Sequence, residues 1–131
     1  MKAVNKIQVA SSRETDDNKG LTEWKDGKCI SLDEGTKISY YIGHEVVRRM
    51  EDEKEVEVTL AFPIRVDKPA KRDALINAAE MAAYSLRTPM DVASFTASLA
   101  RKSRENADDE EVKEHDAFIA WVKDELTKIG K

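Results

Sequence analysis

The chain has one cysteine, three prolines, five glycines and only 6% aromatic residues in 131 positions. A lone Cys29 cannot close an internal disulfide or build a cysteine-rich metal site. So few glycines leave little scope for a phosphate-cradling loop, and neither GxGxxG nor GxxxxGK(S/T) occurs. The nucleophile elbow GxSxG and the zinc signature HExxH are missing as well. No stretch approaches the roughly 18–20 apolar residues that span a bilayer. The start, Met1-Lys2-Ala3-Val4-Asn5-Lys6, leads into no apolar segment, so no secretion signal is expected. Neither sign of charge dominates: 22 basic residues face 26 acidic ones, for a net charge of -4. An acidic balance of this kind disfavours general nucleic-acid binding.

What is present is charge and hydrophobic pattern. Charged residues make up 37% of the chain, against about 25% in an average domain. Hydrophobic residues make up 40%, enough for a core, and the length suits a single domain over residues 1–131. Residues 1–68 carry 12 basic and 14 acidic side chains and residues 69–131 carry 10 and 12, so neither part is polyionic. The periodicity changes near residue 68. Before it apolar residues alternate; after it they recur every three or four positions.

The clearest strand is residues 55–66, where Val56, Val58, Leu60, Phe62, Ile64 and Val66 alternate with mainly polar neighbours. Pro63 has no amide to donate, so it predicts an edge or a bulge. Residues 36–50 precede it with Ile38, Tyr40, Ile42 and Val46 in phase. A hairpin through Glu51-Asp52-Glu53-Lys54 then pairs Val46 with Val58, Ile42 with Phe62 and Tyr40 with Ile64. The alternative is a short charged helix over residues 43–57. Residues 21–32 read as a second hairpin around Asp26-Gly27, a pair suited to a type I′ turn, with Trp24 and Cys29 flanking it. Residues 3–10 form a further strand, and the polar stretch 11–20 reads as an exposed, flexible loop.

Three helices follow. The first is expected over residues 69–87, with Pro69 in its opening turn and Leu75, Ala78, Ala79, Ala82 and Leu86 on its apolar stripe. Thr88-Pro89-Met90-Asp91 is a capping signal for the second, whose core face is Val92, Phe95 and Leu99. Asn106 is expected to stop it in a left-handed conformation. The third begins near Asp108 or Asp109 and presents Val112, His115, Phe118, Ile119, Val122, Leu126 and Ile129, with Gly130 as its stop. Short connections predict antiparallel packing of the three. The expected fold is therefore α+β: an N-terminal antiparallel sheet of about four or five strands, then three C-terminal helices.

Chemistry-bearing residues are sparse. Glu111 and His115 share a helix face, but no second histidine lies nearby, so they read as a solvated helix start and a core-bordering imidazole. His44 stands beside Glu45, yet neighbours on a strand point to opposite faces; it reads as a partly buried, hydrogen-bonded histidine. No catalytic residue, metal site or cofactor is expected. Arg48 and Arg49, with Arg101, Lys102 and Arg104, are the candidate anion-binding residues. The second group is also explained by the dipole at a helix C-terminus, and it is placed to meet the acidic start of the next helix. Trp24, Tyr84 and Trp121 are the candidate interface residues. Trp121 lies off its helix's main stripe and so must cover either the sheet or another subunit.

Two stretches carry a resemblance. Arg72-Asp73-Ala74-Leu75-Ile76-Asn77-Ala78-Ala79-Glu80-Met81, running on to Thr88-Pro89-Met90-Asp91-Val92-Ala93-Ser94-Phe95, is one; Glu114-His115-Asp116-Ala117-Phe118-Ile119-Ala120-Trp121-Val122 is the other. They resemble small bacterial proteins of uncharacterised role, some from prophage or mobile-element loci. The resemblance brings no catalytic motif and implies a small accessory or structural component. The leading expectation is a non-enzymatic interaction protein that self-associates, located in the cytoplasm or, if phage-derived, in a virion. The alternatives are a ligand- or nucleic-acid-binding accessory protein and a small enzyme with His44 or His115 as acid–base.

Overall fold

A computed structural model describes all residues from Met1 to Lys131. The alternating segment is the longest-range organiser. It forms β5 (Lys54–Asp67), paired antiparallel with β4 (Lys37–Glu51) through a two-residue turn. Asp52 and Glu53 both take positive φ there, 50° and 64°, as a type I′ turn requires. The second hairpin joins β2 (Thr22–Lys25) to β3 (Lys28–Asp33) through Asp26 and Gly27, also both at positive φ. With β1 (Ile7–Val9), these strands form one antiparallel sheet in the order β1-β5-β4-β3-β2. Residues 43–57 are thus strand and turn, not helix.

Two of the three expected pairs are observed: Tyr40 faces Ile64 and Ile42 faces Phe62. Beyond Ile42 the register shifts, so Val58 meets Val47 and not Val46. Two residues of β4, Gly43 and His44, oppose the single Ala61. Pro63 pairs with Tyr41 on one side, while β1 reaches only Ala61 on the other, so Pro63 sits where β5 is locally an edge.

The helices are α1 (Arg72–Ala83), α2 (Pro89–Glu105) and α3 (Glu110–Lys128). The first is shorter than expected. Lys71 is its N-cap, Pro69 precedes it, and Ser85 at φ 56° turns the chain out of it, so Leu86 lies beyond its end. The second has the full capping box between Thr88 and Asp91. Asn106 ends it in an extended conformation, φ -152°, and not a left-handed one; its backbone amide donates to the Lys102 carbonyl. Gly130, at φ 84°, does stop the third in a left-handed conformation.

The main core lies between β4–β5 and the pair α1–α3: Tyr40, Ile42, Phe62, Ile64 and Val66 pack on Leu75, Ala79, Phe118, Val122 and Leu126. Arg72 ties the two helices together, donating to the Thr127 hydroxyl and the Lys123 carbonyl. No residue of α2 is fully buried; Phe95 stacks on Tyr84 with ring centroids 4.6 Å apart. The polar stretch 11–20 is not uniformly exposed. It contains a 3₁₀ turn (Arg13–Thr15), and Asp16 is buried, accepting from the Thr22 hydroxyl and the Asn18 amide. The Thr22 bond holds the Asp16 carboxyl below the ordinary carboxylate range, against the opposing effect of burial.

Candidate functional site

The feature that most separates this chain from a plain sheet-and-helix domain is the far half of the β4–β5 hairpin. The β3 ladder covers Ile38–Tyr40 of β4, and the β1 ladder covers Thr59–Ala61 of β5. Past these points residues 47–51 and 54–58 pair only with one another, Glu45 and Val46 pair only with Leu60 and Thr59, and the outer edges of β4 from residue 45 and of β5 before residue 59 have no partner. The hairpin therefore leaves the sheet as a two-stranded arm.

Gly43 sets where the arm begins. Its φ of 63° is left-handed, and a β-carbon built there would collide with the Trp121 indole. Trp121 packs against Phe62, with ring centroids 6.1 Å apart, and against Phe118 at 6.2 Å. The sheet is therefore the surface that Trp121 covers. The Gly43 amide donates to the Glu125 carboxylate at 3.3 Å. At the bulge the phase of β4 changes. Glu45, Val47 and Arg49 then share a face with Leu60, Val58 and Val56, while Val46, Arg48 and Met50 share the other with Thr59, Glu57 and Glu55.

The arm is charged and apolar by turns. Val46 is 64% exposed and Met50 66%. Arg48 reaches Glu57 at 3.2 Å and Glu55 at 3.7 Å. Arg49 contacts Glu51 at 2.6 Å and donates to the Gln8 amide oxygen at 2.7 Å, and Lys6 meets Glu45 at 3.0 Å. The N-terminal segment thus braces the arm's base. Both arginines named as anion ligands already hold carboxylates. Of the second basic group, Lys102 is paired with Glu111 of α3 at 2.5 Å, joining two helix ends of opposite dipole. The structure does not bring Arg48 and Arg49 together with Arg101, Lys102 and Arg104 in one basic surface; they sit on the arm and at the end of α2.

The histidines occupy separate places. His44, the extra residue of the bulge, donates from Nε2 to the Cys29 carbonyl at 2.7 Å. Burial favours its neutral form and lowers its pKa, partly offset by that hydrogen bond. It lines an open cleft of about 340 Å³ with Lys25, Asp26, Lys28 and, from α3, Glu125 and Lys128. Glu125 is committed there to Lys128, at 3.0 Å, as well as to Gly43. His115 is 18% exposed and donates from Nε2 to Glu80 of α1 at 2.5 Å. Tyr84, Phe95 and Phe118 surround this junction, and Lys2 lies 5.4 Å above the Tyr84 ring. The Tyr84 hydroxyl is buried without a partner, and desolvation pushes its pKa up to about 12. Glu111 and His115 thus bind different partners, and no three His, Cys, Asp or Glu side chains converge as a metal site.

Compared with protein-family models, curated proteins and solved structures, the chain gives no match.

Trp24 pairs directly with Cys29 beside the β2–β3 turn, and its indole donates to the Thr22 hydroxyl at 3.2 Å. Burial pushes the Cys29 thiol up, and the neighbouring Asp16 charge adds to this. The three candidate interface residues thus lie apart: Trp24 on the far hairpin, Tyr84 at the helix junction, Trp121 against the sheet. Val46 and Met50, the exposed apolar residues of the arm, were not among them. Their signal was available in the strand pattern, but only the bulge turns Val46 off the buried face. No helix of the chain is long and apolar enough to cross a membrane.

Proposed function

We propose that the protein is a non-enzymatic interaction subunit that associates with itself, and that the β4–β5 arm is its contact element. The observation that carries this reading is the arm itself: two strands with unpaired outer edges and exposed apolar side chains at Val46 and Met50. Unpaired strand edges template association unless they are protected. A two-stranded ribbon is marginal in water by itself, and pairing with further strands stabilises it. The absence of any fully buried residue on α2 adds a second lightly packed surface. The resemblance of the C-terminal half to small proteins of prophage and mobile-element loci suggests a phage-derived assembly as the setting.

Light scattering on the eluting protein tests this. A mass above 14.8 kDa that grows with concentration is expected. A mass of 14.8 kDa at every concentration up to the millimolar range would overturn the reading.

A further inference from the structure

We infer that the partner is a second copy of this chain, joined edge to edge along β4 in antiparallel register centred on Val47. This rests on the self-association proposed above and specifies its geometry.

The strand edges differ in what they accept. The free edge of β5 carries Glu55, Val56 and Glu57. Two such edges set antiparallel about residue 55, 56 or 57 place glutamate opposite glutamate, which is repulsive. The free edge of β4 reads Glu45-Val46-Val47-Arg48-Arg49-Met50, with both signs present.

Symmetry narrows the register. Two antiparallel copies of one strand, side by side in one sheet, are related by a two-fold axis normal to that sheet. Directly opposed residues point to the same face, so they must have equal parity along the strand. Centring on residue 48 sets Arg48 against Arg48 and Glu45 against Glu51. Centring on residue 49 sets Arg49 against Arg49. Centring on residue 46 forms no ion pair, and centring on residue 50 opposes Arg49 to Glu51 but overlaps only residues 49–51 at the end of β4. Centring on residue 47 opposes Glu45 to Arg49 twice, Val47 to its own copy, and Val46 to the aliphatic stem of Arg48. This register matches opposite charges and creates no like-charge contact. In the single chain Glu45 and Arg49 are held by exposed contacts to Lys6, Gln8 and Glu51, which are weak enough to exchange. The product is a four-stranded sheet, β5-β4-β4-β5, in which the arm is no longer a lone ribbon.

Charge-swapped variants of the full chain test the register by sedimentation or light scattering. Glu45→Arg sets arginine against arginine twice, and Arg49→Glu sets glutamate against glutamate twice. Each is expected to raise the dimer's midpoint concentration at least about tenfold. The double variant E45R/R49E restores the opposition and is expected to return to within about threefold of the unmodified chain. An equimolar mixture of E45R and R49E is expected to form the mixed dimer more strongly than either associates with itself. All substituted positions are solvent-facing, and equal melting temperatures of the monomers confirm folding. If the unmodified chain associates but the single variants match it, or the mixture shows no preference, the register is wrong while self-association stands. A monomeric unmodified chain overturns both.

Discussion

Gly43 is the residue on which the site's geometry turns. It holds a left-handed backbone, supplies the bulge that re-phases β4, and leaves room for Trp121. Any β-carbon is penalised twice, by the backbone and by the indole. Gly43→Ala is therefore expected to destabilise the fold by about 2–4 kcal/mol, measured by urea denaturation. A loss of only about 1–2 kcal/mol would leave the backbone cost alone and show that the indole moves aside freely. The glycine is conspicuous in sequence inside an otherwise strand-forming run, but its meaning there is not. The partner that excludes a side chain lies on the last helix, beyond the reach of local pattern. His44 shows the same limit: its partly buried, hydrogen-bonded character follows from its surroundings in the strand, but the carbonyl it binds belongs to Cys29 on a neighbouring strand.

The elements follow local rules closely where capping and turn chemistry operate. Asp26-Gly27 and Asp52-Glu53 turn as expected, and the Thr88 box opens α2. In α2 the cap matters more than usual, because no residue of that helix is fully buried to hold it by packing. Thr88→Ala is expected to cost about 1 kcal/mol and to raise amide hydrogen exchange in the first turn of α2 before the rest of the fold. Uniform exchange across the chain would show that α2 opens only with the whole domain. The missed boundaries share a cause. Pro69 and Leu86 fit a helical pattern, but the chain leaves α1 at Ser85 and enters it after Lys71. Asn106 is compatible with left-handed backbone yet is extended, with its amide already bound to Lys102.

At the scale of the whole molecule, one core couples both halves of the chain. Phe118 of α3 is fully buried, sits edge-on to Phe62 of β5 at 6.4 Å, and also contacts Tyr84 and Trp121. Phe118→Ala is expected to destabilise the domain by about 3–5 kcal/mol and to melt sheet and helices in a single transition. Two separate transitions in circular dichroism would show that the β and helical segments are independent units. The arm, like α2 and the β2–β3 hairpin, lies outside this core, so truncating Phe118 and altering the arm affect different properties, stability in the first case and association in the second.

The sequence by itself determined the α+β class, the two hairpins with their turns, and the buried faces of β5 and α3. These rest on side-chain periodicity and on backbone preferences of a few residues, both local in the chain. Only the tertiary structure decided where β4 and β5 outrun their neighbours, that Trp121 covers the sheet, and that Val46 points outward. Those depend on the lengths of adjacent strands and on one bulge opposite Ala61, quantities set when distant segments meet.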